Sequence, residues 1–320
     1  MRLNIKLSAL VIAYSRPEGV SYLVRTLISS GVSDIYISVD GPKNDSDIIN
    51  QIKIKNEVIK YSQNSKTKIH LKQHSKNLGV AGGVISAIDW FFSFEEMGVI
   101  LEDDLLISED FLTFTLMGLD TYKNDPRVWM ISGTQVIPDA MDRVNAVWTN
   151  YPMIWGWGSW KEKWIEMRAS LLRKKEIRFK NLANPIDLYW AVGGNRALSG
   201  KVDTWDTQLA CEFKLQKKLC LLPPVNLISN IGTDEVASHT KINHKTMNLE
   251  IQPLDTSYII KVEPERLQIL NYNAALESKV FRIKLRHVLL PYYSMMFDFI
   301  KFPKSNRKTP LFERVGDSWC

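Results

Sequence analysis

Glu102, Asp103 and Asp104 stand in a row behind one apolar run, Val99-Ile100-Leu101, and ahead of another, Leu105-Leu106-Ile107. Three adjacent carboxylates repel one another, and burial adds to the cost of keeping them ionised. A divalent cation relieves both penalties. Hard oxygen ligands suit Mg²⁺ or Mn²⁺, which usually keep water and substrate phosphate in their remaining positions. A solvated acidic turn would give the same three letters. Apolar segments on both sides favour instead a cluster at the lip of a buried strand.

Other residues of chemical interest are scattered along the chain. Trp155-Gly156-Trp157-Gly158-Ser159-Trp160 combines indole faces, which suit the apolar faces of sugar rings, with glycines that allow close backbone approach. Trp157, flanked by both glycines, is the expected contact, and a tryptophan-rich core hinge is the ordinary alternative. Leu78 to Gly83, with Gly82 the expected contact, is a glycine-rich helix entry whose amides could meet phosphate or hydroxyls. It is not GxGxxG, and no GxxxxGK[ST] occurs, so dinucleotide and ATP-hydrolysis sites lose their main support. Asp206 falls where a helix should begin, and an N-cap is the usual task of Asp there. His239, in a polar loop, could approach a metal or diphosphate if a ligand orders that loop, although a lone loop histidine is more often only solvated.

The elements that must position these residues follow from periodicity. Lys6–Tyr14 reads as a strand covered on both faces, and Val20, Leu23, Val24, Leu27 and Ile28 recur at helical spacing behind Pro17. Strands follow at Asp34–Val39, Ile69–Gln73 and Val99–Leu101, alternating with helices over about 45–62 and at Leu78–Phe92. Such alternation predicts an α/β fold with a mainly parallel, helix-covered sheet, whose ligands gather at the carboxyl ends of the strands. Ser15-Arg16, Asp40-Gly41 and Glu102-Asp103-Asp104 sit at three such ends. The second half is less regular. Strands are expected at Trp129–Ile137, Ala146–Thr149 and Leu221–Ile228, and helices at Ser159–Met167 and Thr204–Leu219. One catalytic domain over 1–250 is expected, with a nucleotide-binding lobe (1–125) and a smaller mixed acceptor-side lobe (126–250), followed by a tail at 251–320.

Ile100-Leu101-Glu102-Asp103-Asp104-Leu105, with Glu109-Asp110-Phe111-Leu112 behind it, resembles the metal-binding segment of N-acetylglucosaminyltransferase I and its bacterial relatives. These are inverting glycosyltransferases of the GT-A fold. Arg16, Asp40, Trp129-Met130-Ile131-Ser132 and Trp205-Asp206 follow the family's order over about residues 8–240. The resemblance implies that Asp104 ligates the metal, Asp103 faces the ribose and Glu102 the transferred sugar. It implies further that Asp40 contacts a uracil-type base, that Arg16 lines the diphosphate pocket and that Asp206 is the catalytic base. The family has two adjacent acids where this chain has Asp206-Thr207, so Asp203 stands next in line. Mn²⁺ or Mg²⁺, a UDP-sugar donor, and a glycan or lipid-linked acceptor of bacterial surface polysaccharide are implied with it.

The 320 residues are 45% hydrophobic and 24% charged, an ordinary globular composition, and the net charge of +6 fits an anionic partner. Cys211, Cys220 and Cys320 form no CxxC pair, and no run reaches the ~20 apolar residues of a membrane span, so a cytoplasmic protein is expected. Basic and aromatic residues interleave over 279–308, suiting either an anionic membrane surface or packing on the catalytic domain. Nucleic acid has only net charge in its favour. A sugar nucleotidyltransferase should show a GxGxR-type loop after the first strand, where this chain has Ala13-Tyr14-Ser15-Arg16-Pro17. A non-catalytic carbohydrate-binding module would need no metal.

Overall fold

A computed structural model describes residues 6–137, 144–172, 177, 185–232, 248–255, 257–260 and 262–281. His239, most of the basic connection at 168–184 and the tail beyond 281 lie outside them. The fold is α/β. Its first half alternates as the periodicity requires: β1 (Ser8–Ala13), α1 (Pro17–Ser29), β2 (Asp34–Val39), α2 (Asp45–Asn64), β3 (Lys68–Gln73), α3 (Gly79–Phe92) and β4 (Met97–Glu102). The second half continues with β5 (Leu105–Ile107), α4 (Glu109–Tyr122), β6 (Val128–Ser132), β7 (Val147–Thr149), β8 (Trp157–Trp160) and α5 (Lys161–Leu171). It ends with α6 (Pro185–Leu198), α7 (Asp206–Gln216), β9 (Leu219–Leu222), β10 (Ile228–Asn230), α8 (Arg266–Ala275) and a π-helical turn, Leu276–Phe281.

Helix starts follow local chemistry. Pro17 opens α1, Asn44 caps α2 by accepting from the Asp47 amide, and Ser108 caps α4 by accepting from Phe111. Eight strands form one sheet in the order β3-β2-β1-β4-β8-β6-β9-β7, and β5 pairs with β10 in a small antiparallel sheet. The β1, β2, β3 and β4 pairings are parallel, β8 runs against both β4 and β6, β9 is parallel to β6, and β7 is antiparallel to β9. Apolar side chains alternate between two cores. On β1 and β4, Ala9, Val11, Val99 and Leu101 face one side, and Leu10 and Ile100 the other. These central strands are covered by helices on both faces, so their carboxyl ends are where a polar site can open.

Three expectations for the second half change. The stretch from Trp157 is a central strand, not the start of a helix at Ser159, and α5 begins only at Lys161. Gly158 explains this, because a Cβ there would lie 2.5 Å from Thr115 Cγ2, so α4 can cross the strand closely only over a glycine. The expected strand Leu221–Ile228 is two strands in different sheets. Trp129–Ile137 forms a strand only as far as Ser132.

The described part of the expected tail packs on the core. Tyr122 donates its hydroxyl to the Ile260 carbonyl at 2.9 Å, Trp148 Nε1 donates to Val262 at 2.9 Å, and Tyr272 and Leu276 are buried. No helix of the described residues is long and apolar enough to cross a membrane.

Candidate active site

The carboxyl ends of β1, β2 and β4 open into a cleft of about 460 Å³. Its first wall consists of residues just beyond, or at, strand ends. Asp40 and Asp103 each extend the sheet by one backbone bond, from Asp40 N to Ala13 O and from Asp103 N to Ile12 O, both 3.0 Å. The Asp103 carboxylate then folds back on the first loop. It accepts from the Tyr14 amide at 2.8 Å and from Arg16 Nη1 at 3.0 Å, while the same guanidinium nitrogen lies 3.5 Å from Asp104 Oδ2. Burial still raises the proton affinity of Asp103, against the opposing pull of Arg16 and the Tyr14 amide. Glu102 is held well above the ordinary carboxylate range by burial first, and then by Asp104, Asp103 and Asp206, with Arg16 opposing.

Asp40 organises the other end of this wall. Its carboxylate accepts from the amides of Gly41 (2.8 Å) and Leu78 (2.9 Å) and from Asn77 Nδ2 (2.9 Å), and burial raises its proton affinity against those amides. Gly41 is required here. A Cβ would come 2.1 Å from the Lys76 carbonyl carbon, so two loops meet backbone to backbone. Lys43 sits over the Tyr14 ring at 5.2 Å, and both residues line the cleft.

The second wall is the segment between α6 and α7, together with Ile154 and Trp155 ahead of β8. Asp206 is the first residue of α7, not its cap, which is Trp205. Its Oδ1 takes the Thr204 hydroxyl together with the amide (2.6 Å) and hydroxyl (3.2 Å) of Thr207. Asp203 accepts from the amides of Val80 (3.0 Å) and Ala81 (3.2 Å) at the start of α3.

A divalent cation fits this cleft as a shared ligand. Among the described residues no three His, Cys, Asp or Glu side chains converge to cage an ion. Mg²⁺ and Mn²⁺ are commonly held by one or two carboxylates, with substrate phosphate and water completing the shell. The ground beside Asp104 suits such an arrangement. A Cβ on Gly232 would lie 2.2 Å from Asp104 Oδ2 and 3.2 Å from Asn230 Oδ1, so glycine keeps the space next to two hard oxygens open. The β5–β10 pairing fixes that approach, with Ile231 N bonded to Asp104 O at 2.9 Å and Gly232 N to Asn230 Oδ1 at 2.9 Å.

Of the residues expected at the site, Arg16, Asp40, Glu102, Asp103, Asp104 and Asp206 line this one cleft. Two others do not. Trp157 is 1% exposed, paired with Ile100 on β4 and stacked at 6.2 Å on Trp205, so its indole is core. Trp157 opens β8, which is buried along its whole length, whereas Trp155 precedes the strand, ahead of the positive-φ Gly156, and lines the cleft. Gly82 is buried inside α3, where Gly79 and Gly83 border the cleft, and the amides of Val80 and Ala81 that could have met a phosphate are taken by Asp203. Tyr14, Asn77, Asn230 and Gly232 were not singled out from the sequence. The Asn-Leu-Gly start of α3 was the one available signal, for Asn77.

No family model matches the chain, and no curated protein matches it. Solved structures match only loosely. A UDP-glucose pyrophosphorylase complexed with UDP-glucose is 9% identical with a TM-score of 0.36, over 68% of this chain and 90% of that one. HddC from Yersinia pseudotuberculosis complexed with GMP-PN is 13% identical at 0.29, over 49% and 78%. Mannose-1-phosphate geranyltransferase from Thermus thermophilus is 10% identical at 0.37, over 71% and 76%. None of the three is an N-acetylglucosaminyltransferase. Superpositions this distant say nothing of mechanism, and the α/β assignment rests on the strand order itself.

Proposed function

We propose that the cleft binds a nucleoside-diphosphate sugar, with a UDP-sugar favoured, and transfers the sugar with inversion to a glycan or lipid-linked acceptor of surface polysaccharide. The observation that supports this is the facing of two carboxylate groups: Glu102, Asp103 and Asp104 on strand ends, and Asp206 at a helix start within electrostatic reach of Glu102. Tyr14, Asp40, Asn77 and Lys43 form the end suited to a nucleobase and ribose. Arg16, and Asp104 through Mn²⁺ or Mg²⁺, form the part suited to a diphosphate. A cation bound there would offset negative charge growing on the departing diphosphate. Asp206 accepts the proton of the acceptor hydroxyl as that oxygen attacks the anomeric carbon from the face opposite the leaving group. Glu102, with its raised proton affinity, faces the transferred sugar as a hydrogen-bonding partner. Trp155 replaces Trp157 as the indole for a sugar face.

Transfer at phosphorus, which would make a sugar nucleotide, is the second reading. The walls that would hold a diphosphate serve it equally well, and one loosely similar structure is named as a pyrophosphorylase. The two chemistries differ in their need for Asp206, since an anionic phosphate nucleophile carries no proton that must be removed. One experiment separates them: incubation with a panel of nucleotide sugars and labelled pyrophosphate, with and without Mn²⁺, following release of nucleoside diphosphate and incorporation of pyrophosphate into nucleoside triphosphate separately. Metal-dependent release of nucleoside diphosphate is the expected result. Pyrophosphate exchange alone would establish the second chemistry, and metal-independent binding with no turnover would leave a carbohydrate-binding module.

A further inference from the structure

Helix α3 begins without a cap of its own. Leu78 occupies the N-cap position and offers no side-chain acceptor, Asn77 Oδ1 takes the Gly79 amide at 3.1 Å, and the first turn holds no acidic residue. A helix of 14 residues with an apolar cap leaves its first N–H groups in need of acceptors. Asp203 supplies the next two from 123 and 122 positions away, one carboxylate oxygen on the Val80 amide and the other on Ala81. This carboxylate thus spans from the second wall of the cleft to the first, because α3 follows directly on the Asn77–Leu78 segment that Asp40 holds.

Trp205 anchors the same segment from its other side. Trp205 is buried and stacks on Trp157, the strand residue in the middle of the sheet. Thr204 lies between the two anchors, and its hydroxyl bonds Asp206 Oδ1. The neighbouring residue, Val202, is exposed. Without Asp203, the segment would lose its tie to α3, and Asp206 would be held from the α7 side and through Trp205.

We infer that Asp203 is a positioning residue, a bidentate clamp on the first turn of α3 that sets the orientation of Asp206 across the cleft. The inference rests on the proposed role of Asp206 as the base. It also gives Asp203 a structural task in place of that role, each of its oxygens accepting from a backbone amide. Misplacing a reacting group by about 1 Å can cost ~10²-fold in rate without altering what the site binds. A clamp of this kind should therefore act on turnover and leave donor affinity nearly unchanged.

The test compares the full-length chain with Asp203→Asn, Asp203→Ala and Asp206→Asn. It measures kcat, the donor dissociation constant, and hydrogen exchange in peptides covering 79–84 and 200–208, with a β1 peptide reporting on the integrity of the fold. Asp203→Ala should lower kcat by about 10- to 100-fold, leave donor affinity within about 3-fold, and speed exchange in both peptides while β1 is unaffected. Asp203→Asn keeps one carbonyl oxygen for one amide and should recover most of the lost turnover, whereas Asp206→Asn should lose about 10²- to 10⁴-fold in kcat. If Asp203→Asn is as inactive as Asp203→Ala while Asp206→Asn turns over, Asp203 is itself the base and the clamp is overturned. Unchanged exchange in 200–208, or an Asp203→Ala variant with wild-type kcat, overturns it as well. A wild-type chain that transfers no sugar defeats the proposed function, but the exchange arm still decides whether the clamp exists.

Discussion

The two walls of the cleft are built in different ways. Asp40, Glu102 and Asp103 inherit their positions from the sheet: each stands at a strand end, and the amides of Asp40 and Asp103 extend the parallel ladder. Asp203, Thr204 and Asp206 belong to no strand and are placed by side-chain contacts, to the α3 amides, to one another and through Trp205 to the core. A wall made by backbone bonds is stable before it is functional, so its carboxylates can be devoted to structure, as those of Asp103 and Asp40 largely are. A wall made by side chains can move without unfolding the sheet. Chemistry that depends on orientation should therefore be most sensitive at the second wall, and stability at the first.

The largest expected effect tests the second wall. Asp206→Asn should lower kcat by about 10²- to 10⁴-fold, the usual contribution of a general base. Donor affinity and the urea midpoint should stay at wild-type values, because the amide can still accept from Thr204 and Thr207. Full activity would move the base elsewhere and remove the catalytic half of the contrast. The first wall should behave in the opposite way. Asp103→Ala leaves the Tyr14 amide and the mostly buried Arg16 guanidinium without their shared carboxylate. Breaking such a pair costs about 2–3 kcal/mol once partial exposure of Arg16 is allowed for. Equilibrium urea unfolding should show that loss, and a change below about 0.5 kcal/mol would mean that the strand ends need no such bracing.

The same contrast explains what the sequence discloses. Lys6–Tyr14, Asp34–Val39 and Val99–Leu101 are apolar on both faces and are divided by turn residues and amphipathic helices, so the parallel half and its strand-end acids can be read directly. Trp157–Trp160 cannot, because two glycines beside tryptophans suggest a loop. The reason they form a strand, the close passage of α4 over Gly158, involves residues some forty positions away. The trans capping of α3 by Asp203 and the open space that Gly232 leaves at Asp104 are likewise products of tertiary contact, with no local pattern to announce them. Adjacent acids behind an apolar strand are legible because sequence neighbours make them. The second wall is not, because its neighbours come from distant segments.

Trp155 and Trp157, two residues apart, carry the comparison to a finer scale. Trp157→Phe should cost about 1–2 kcal/mol, since it trims a fully buried indole stacked on Trp205 and leaves a partial void. Any loss of turnover in that variant would come through the anchor of the second wall. Trp155→Phe should cost little stability and should instead raise the KM for donor or acceptor, because that indole borders the cleft. The pair can be read from thermal unfolding and steady-state kinetics together, and equal behaviour of the two variants would contradict the inward turn of Trp157.

The smallest effect concerns the first wall's dependence on pH. His74, whose amide bonds the Val39 carbonyl beside Asp40, has its proton affinity lowered by burial first and by the Lys72 charge second, with Asp40 pulling the other way. Its folded pKa therefore lies below the unfolded value of about 6.5. As pH falls below 6.5 the unfolded chain takes up this proton before the folded chain does, so the unfolded state gains and stability declines. The decline ends once the pH has passed below the folded pKa. One proton limits the slope to about 1.4 kcal/mol per pH unit. Replacing His74 with Gln should flatten urea-midpoint profiles on the acidic side of pH 6.5 and leave them unchanged above pH 7.5. A profile that keeps its full slope would assign the acid sensitivity to the carboxylates, and the strand-end wall would then owe its pH response to Asp40 and its neighbours alone.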